Sequence, residues 1–363
     1  MKAIILAGGA GTRLRPLTEK MPKPLIPVAG RPCIDFVVKS LVASDFREIV
    51  ITTGYMSGYL MKKMGNGLKY DASILYSFEE TPAGTAGAVK IVEDFIDDTF
   101  VVASGDVLAD VDMADLYDYH RRTGSVATMA LTEVENPEGF GIVELDDRNR
   151  ITRFKEKPKA NEVFSNLINA GIYILEPEVL DFIPRDEMFD FSKNVFPALL
   201  KEEMVICGRK LEGLWMDIGK PDDLMKASME VIMRQGEEFS TEGIESDSRC
   251  IISDSANLET GVRLVGPCFI GDDALVGRDS VIENSCVYEN VLVERDSVIK
   301  NSIVLEKSKI GLQSEILDSI LSANCAVEED VRIMRSIIGD DMTIKTHSRL
   351  ENANVSPPAD EES

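Results

Sequence analysis

Histidine is almost missing: His120 and His347 are the only two in 363 residues, too few to assemble a His-based catalytic triad or a His-rich metal site. The six cysteines, at positions 33, 207, 250, 268, 286 and 325, form no C-x-x-C pair. Neither a zinc framework nor a disulfide scaffold is indicated, and reduced, mostly buried thiols are expected. Long apolar runs are lacking too, since nothing approaches the roughly 18 residues that cross a bilayer. The apolar opening at 1–7 is too short for a signal peptide before its glycines begin, so the chain reads as soluble and cytoplasmic, with no membrane partner. Positive charge is scarce: 39 Lys and Arg against 63 Asp and Glu give a net charge of −24. That balance argues against nucleic-acid partners, which require a basic face to displace counterions from phosphates.

What positive charge there is stands close together. Lys2, Arg13, Arg15, Lys20, Lys23 and Arg31 face a single acid, Glu19, within the first 31 residues. A basic island in an acidic chain marks a place for an anion.

The length exceeds that of a usual single core, so two domains are expected. Short β-rich apolar runs at 2–7, 48–53, 73–78, 100–104, 126–132, 141–145, 151–155 and 168–175 alternate with helical patterns. This rhythm predicts a Rossmann-like α/β domain over residues 1–236, with a mainly parallel sheet between helices. A helical stretch at 222–234 closes it, and the boundary falls near 236–250.

Beyond the boundary Val265, Ile282, Ile299, Ile316 and Ile333 recur every 17 residues. Ile270, Val287, Val304, Leu321 and Ile338 do the same, as do Val276, Val293, Ile310, Val327 and Ile344. Three apolar rows at one period predict a left-handed parallel β-helix of hexapeptide type over 250–355, with Gly266, Gly271, Gly277, Gly311 and Gly339 near its corners. A β-sandwich of short strands fits the common register poorly. An uncovered last coil would expose backbone groups, which predicts a homo-oligomer formed through the β-helix. Cutting the chain after about Gly236 is expected to leave the motifs described next in place. Residues 356–363, polar and acidic, read as a disordered tail.

The first apolar run leads into Leu6-Ala7-Gly8-Gly9-Ala10-Gly11-Thr12-Arg13-Leu14-Arg15-Pro16-Leu17-Thr18, and Lys23-Pro24 follows shortly. Glycines at a strand's carboxyl end let backbone N–H groups approach phosphates. The stretch is neither a complete G-x-G-x-x-G, because Leu14 takes the third glycine's place, nor a Walker loop. Asp106 ends the apolar run Val101-Val102-Ala103-Ser104-Gly105, at the kind of strand end where ligands bind in open α/β sheets. The acids at 110, 112, 115 and 118 read as a solvated helix face.

Together these strings resemble the signature of the sugar-1-phosphate nucleotidyltransferases, G-G-x-G-T-R-L-x-P-x-T followed by K-P. The resemblance implies that Leu6, Gly8, Gly9, Gly11, Thr12, Gly84 and Thr85 hold a nucleoside triphosphate, that Arg13 contacts its phosphates, and that Lys23 sits beside the reacting phosphate. Leu214-Trp215-Met216-Asp217-Ile218-Gly219 resembles the family's W-x-D-x-G segment, which implies that Asp106 and Asp217 bind Mg²⁺. Phe154-Lys155-Glu156-Lys157-Pro158 is similar to its E-K-P motif, implying that Lys157 binds the sugar phosphate and Glu156 a sugar hydroxyl, with Gly141 and Asn169 lining the sugar pocket. The implied reaction joins a sugar 1-phosphate to a nucleoside triphosphate and releases pyrophosphate.

Within the family, Gly84-Thr85-Ala86-Gly87-Ala88, Ile168-Asn169-Ala170-Gly171 and the β-helix look most like the branch that joins mannose 1-phosphate to GTP. A glucose-1-phosphate uridylyl- or thymidylyltransferase is the alternative. Glu79 stands where those two branches resemble one another in carrying glutamine, and a carboxylate, which only accepts, suits the two adjacent donors of guanine. Two further readings belong to other classes. A silent sugar-nucleotide sensor would have little reason to keep Arg13, Lys23, Asp106 and Asp217 together. An acyltransferase with a hexapeptide β-helix would commonly use a histidine base there, and His347, near the end of the repeat, is a poor one.

Overall fold

The computed structural model describes every residue except 55, 240–242 and 357–363, so the expected acidic tail lies, apart from Ser356, outside the described residues. The described residues form two compact units. The first comprises Met1–Ala10, Pro22–Leu25 and Cys33–Asp217; the second comprises Gly11–Met21, Ile26–Pro32 and Ile218–Ser363.

In chain order the first unit runs β1 (Lys2–Leu6), α1 (Cys33–Ala43), β2 (Glu48–Thr53), β3 (Ser73–Phe78), α2 (Gly84–Ile91), β4 (Phe100–Ser104), β5 (Val107–Val111) and α3 (Met113–Thr123). Then come β6 (Ala127–Glu133), β7 (Gly141–Leu145), β8 (Ile151–Glu156), β9 (Leu167–Leu175), β10 (Ile206–Lys210) and β11 (Gly213–Asp217). The main sheet has the order β8-β7-β9-β4-β1-β2-β3, and β6 pairs with β9 and β10. Strands β4, β1, β2 and β3 run parallel, and β9 is antiparallel to β4. The parallel half explains the unbroken apolar runs: Ala3, Ile4 and Ile5 of β1 and Val101, Val102 and Ala103 of β4 are wholly buried, as strands covered on both faces must be. Ile4, Val102, Ala86, Val89, Phe191 and Phe196 share one core. Strand β5 leaves the main sheet and pairs only with β11, as a separate antiparallel ribbon.

After the helix Pro221–Gln235, most of the second unit is a β-helix, three sheets of parallel coils whose inward apolar residues stack coil on coil. Its period is 17 residues for most of its length, but the first turn is longer. Leu264 pairs with Ile282 and Cys250 with Cys268, a step of 18, whereas Ile282 pairs with Ile299 and Ile270 with Val287. The expected row member Val265 is therefore replaced by Leu264, which is buried, while Val265 lies opposite Glu283 on the other face. The added residue sits at the Gly266-Pro267 corner.

The corners differ from expectation as well. Among the expected glycines only Gly266 has a positive φ, of 67°. The left-handed positions belong instead to three columns of mostly Asp and Asn: Asn284, Asn301 and Asp318; Asp279, Asp296 and Asp330; Asn290, Asn324 and Asp341. Short polar side chains adopt this conformation most readily after glycine. No helix among the described residues is long and apolar enough to cross a membrane.

Candidate active site

Strand β1 ends at Leu6, opposite Thr52 of β2 and Ser104 of β4. The backbone then opens into Gly8 and Gly9, which are exposed at the carboxyl edge of the parallel strands. Gly105 N–H donates to the Leu6 carbonyl at 2.8 Å, so the β4–β5 turn carrying Asp106 is tied to that edge. The β5–β11 ribbon delivers the second carboxylate: Asp217 stands opposite Val107, the neighbour of Asp106.

Lys23, in a 3₁₀ turn at Lys23–Leu25, is only 7% exposed. Its Nζ donates to Asp106 Oδ2 at 2.7 Å and lies 3.7 Å from Asp217 Oδ1. Ser104 Oγ donates to the other Asp106 oxygen at 2.6 Å. Burial pulls the lysine's pKa down, but Asp106 and Asp217 outweigh it, and the net shift is upward. Burial pushes the Asp106 carboxyl up, and the Lys23 charge with the Ser104 hydroxyl holds it below the usual range. Both groups stay ionised.

A cavity of about 270 Å³ adjoins this trio, lined by Leu6, Gly8, Gly9, Glu79, Gly84, Thr85, Ser104 and Asp106. Glu79 follows β3; its Oε2 accepts from Ala83 N–H at 3.1 Å, and its Oε1 faces Gly8. A Cβ on Gly8 would stand 2.8 Å from that oxygen, so a side chain there would push the Glu79 carboxylate aside. Thr85 reaches the same cavity, but its hydroxyl and N–H both donate to Asp190 Oδ1, and Phe191 N–H donates to the hydroxyl.

The strands β7, β8 and β9 carry the remaining sugar-side residues. Gly141 opens β7 opposite Glu156 of β8, where a Cβ would meet Glu156 Oε2 at 2.8 Å. Burial raises the Glu156 pKa against the pull of Lys157 and Lys193. Lys157 is exposed and adopts a left-handed φ of 43°, its N–H bonded to Phe140 O at 2.9 Å. Asn169 lies at an irregularity in β9; it accepts from Gly171 N–H at 2.9 Å and donates to Tyr173 Oη at 2.8 Å.

Gly11, Thr12 and Arg13 belong to the second unit. Gly11, at φ 60°, precedes the 3₁₀ turn Thr12–Leu14, Arg13 is exposed, and Thr18 Oγ1 donates to Gly11 O at 2.9 Å. Of the basic island, Lys2 pairs with Asp97, Lys20 with Asp341 and Arg31 with Gln235, so part of its charge serves the fold. The acids expected on a solvated face also have other work. Asp112 caps α3 by accepting from Asp115 N–H, and Asp115 holds Arg209 through both oxygens.

Sequence reasoning passed over Ser104, and over Asp190, Ser192 and Lys193, which a π-helical turn at Phe191–Val195 brings to Thr85 and Glu156. No periodicity marks that turn; the only signal is the alternation of aromatic and polar residues in Phe189-Asp190-Phe191-Ser192-Lys193. Trp215 was part of a matched motif, but its task is visible only here: its indole N–H donates to Ala170 O at 2.8 Å beside Asn169.

Asp106 and Asp217, which both reach the Lys23 ammonium, are the residues that could hold a hard cation, which takes one or two carboxylates and completes its shell with phosphate and water. No group of three or more His, Cys, Asp or Glu suited to a metal occurs among the described residues, so substrate oxygens would complete such a shell.

The parallel strand edge, the glycine-lined cavity and the Lys23–Asp106–Asp217 trio define an α/β domain suited to nucleotide phosphate chemistry, in a chain that also carries a β-helix. The chain belongs to the nucleotidyl transferase family, whose model matches residues 2–234. A second model, described as the GMPPB C-terminal domain, matches residues 248–360. The chain is similar to a UTP–glucose-1-phosphate uridylyltransferase of Synechocystis, 33% identical over 80% of this chain and 83% of that one. It is similar also to a mannose-1-phosphate guanylyltransferase of Mycobacterium tuberculosis, 32% identical over 80% of each chain. The mannose-1-phosphate guanyltransferase of Yarrowia lipolytica is 40% identical over 63% of each. A crystal structure from Bacillus anthracis, described as a glucose-1-phosphate thymidylyltransferase, superposes with a TM-score of 0.59 at 29% identity, covering 66% of this chain and 98% of that one. The fold class and the enzyme class expected from the motifs both stand.

Proposed function

We propose that the protein joins mannose 1-phosphate to GTP, giving GDP-mannose and pyrophosphate. A phosphate oxygen of the sugar 1-phosphate bonds to the α-phosphorus of GTP as the bond to the β-phosphate oxygen breaks. The nucleophile is already anionic, so positioning and charge stabilisation do the catalysis and no general base is required. The observation that carries the reading is the buried Lys23 ammonium held charged between Asp106 and Asp217 beside the glycine-lined cavity. Lys23 offsets charge developing at the α-phosphate, Arg13 holds the departing pyrophosphate, and Lys157 steers the incoming sugar phosphate. Asp106 and Asp217 would hold Mg²⁺, which supplies charge neutralisation on the nucleotide phosphates when bound.

Glu79 supports guanine as the base. Each carboxylate oxygen has two acceptor positions, so the bond from Ala83 leaves both oxygens able to receive the N1–H and the exocyclic amine of guanine. Uracil and thymine offer one donor flanked by carbonyls, which a carboxylate cannot satisfy.

In this reading residues 1–236 form the transfer domain and 250–355 a β-helix domain through which copies assemble, in the cytoplasm, where six free thiols persist. The test measures pyrophosphate release for GTP, UTP and dTTP with mannose or glucose 1-phosphate in Mg²⁺. GTP with mannose 1-phosphate should give the highest kcat/KM. A preference for UTP with glucose 1-phosphate, as in the name of the Synechocystis relative, would reverse the substrate assignment. Light scattering that finds a monomer would remove the assembly claim.

A further inference from the structure

The segment after Lys23 is held in an unusual way. Ile26–Pro32 forms a small hairpin in which Pro27 pairs with Pro32 and Val28 with Arg31. Neither proline has an N–H to give, so only Val28 and Arg31 can supply ladder N–H groups, and this short hairpin is also held from outside. The β-helix does this within the second unit. Tyr288, only 1% exposed, donates its hydroxyl to Pro27 O at 2.9 Å and lies 3.5 Å from Gly30 N. One coil earlier, Phe269 packs on the Tyr288 ring at 5.0 Å between centroids. Phe269 also faces Gly30, whose φ of 84° and lack of Cβ are both needed, since a Cβ would lie 2.5 Å from the ring. Burial pushes the Tyr288 phenol far up, so it remains a neutral donor at any working pH.

The chain reaches this hairpin directly from Pro22–Leu25, the short stretch that contains Lys23. On the other side of that stretch, Gly11–Met21 is tied to the β-helix by Lys20 and Asp341 at 2.6 Å. Lys23 is therefore bracketed in sequence by two anchored segments. We propose that Tyr288 is a positioning residue for the transfer reaction: its hydroxyl fixes the hairpin, and through the short connection limits how Lys23 can move as charge develops. This rests on the function proposed above.

Removing only the hydroxyl should lower turnover more than it lowers substrate binding, because a Lys23 free to wander loses its transition-state contact first. Tyr288→Phe is expected to reduce kcat about five- to tenfold with KM for GTP changed less than about twofold. Phe269→Leu, which removes packing but keeps the hydroxyl, should lower the melting temperature at least as much while leaving kcat near wild type. Gly30→Ala, which drives the hairpin off Phe269, should lose more kcat than Tyr288→Phe, and Gly30→Ala with Phe269→Leu should regain part of it. An unchanged kcat in Tyr288→Phe overturns the inference, as does a kcat loss that follows melting temperature across the four variants. Wild-type protein that releases no pyrophosphate with any substrate pair overturns the functional reading, and this inference with it; an active wild type with an unaffected Tyr288→Phe overturns the inference alone.

Discussion

Burial ordinarily strips a lysine of its proton, yet Lys23 is 7% exposed and its pKa is raised. The two carboxylates that achieve this become a liability when the lysine is removed, because breaking a buried pair leaves an uncompensated charge. Lys23→Met should therefore cost about 1–3 kcal/mol of stability, less than the roughly 3–5 kcal/mol usual for breaking a buried pair, because the Asp106 side chain is one-third exposed. Turnover should fall about a hundredfold or more. In Lys23→Met/Asp106→Asn much of the stability should return and none of the turnover, and a double variant that recovers both would remove Lys23 from the chemistry. Motif spacing made Lys23 and Asp106 readable one by one. Their pairing was not readable, since they are 83 residues apart and meet only where β1 and β4 end and β5 begins.

His120 shows the opposite balance. It is wholly buried, with Nδ1 at 2.8 Å from Thr128 Oγ1 and Nε2 at 3.1 Å from Glu176 Oε1. Burial lowers its pKa, and Glu176 only partly opposes the shift. A histidine whose folded pKa lies below its unfolded value of 6.5 binds its proton more readily unfolded, so stability falls as pH drops through 6.5 toward the folded pKa. Urea midpoints measured between about pH 7.5 and 5 should decline less steeply in His120→Gln than in wild type. Equal slopes would mean that other groups carry the acid sensitivity. This network lies in the core and uses the protein's one buried histidine for packing, as the shortage of histidine already suggested for catalysis.

At the scale of elements, the β-helix was legible because its code is periodic: one inward apolar residue per face recurs, and the eye can count it. The same sequence carried a further column that the apolar count ignored. Ser285, Ser302, Ser319 and Ser336 are buried and stack at the repeat period; each hydroxyl accepts the N–H one coil on, as Ser302 Oγ does from Ser319 N at 3.0 Å. Ser302 also donates to Lys300 O at 2.7 Å. Ser302→Ala should thus orphan a buried N–H and cost about 1–3 kcal/mol. Cysteine already plays the donor part inside the β-helix, since Cys325 Sγ donates to Gly339 O at 3.2 Å and Cys268 Sγ to Ile282 O at 3.4 Å. Ser302→Cys should accordingly cost less than Ser302→Ala in thermal or urea unfolding, and equal costs would show that the hydroxyl ladder contributes little. The slip from Val265 to Leu264 has the same origin as this omission. A count at fixed period cannot see a one-residue insertion at a Gly-Pro corner, and only register shows it.

At the scale of the whole molecule, the sequence suggested that the motifs and the repeat are separable, because the helical stretch ending near Gly236 divides two patterns cleanly. The packing does not follow that division. Gly11–Met21, with Arg13, and Ile26–Pro32 belong to the compact unit that contains the β-helix. Lys20 pairs with Asp341, and Pro27 and Gly30 rest on Tyr288. A chain cut after Gly236 keeps every signature residue but removes Phe269, Tyr288 and Asp341. Such a cut is therefore expected to disturb these two segments rather than to leave all the motifs in place. Of the bonds named for these two segments, Thr18 Oγ1 on Gly11 O and Arg31 on Gln235 would survive the cut, whereas those to Tyr288 and Asp341 would be lost. The fragment should keep the far-ultraviolet signature of its nine-stranded sheet, whose pairings all lie within residues 2–210. Pyrophosphate release should nevertheless fall about tenfold to a hundredfold, the scale expected when catalytic groups lose their positioning without losing their chemistry. Circular dichroism and turnover measured on the same preparation decide the matter. A folded fragment with full activity would show that the β-helix is not needed for turnover, whereas a folded fragment with a collapsed kcat would show that it completes the enzyme.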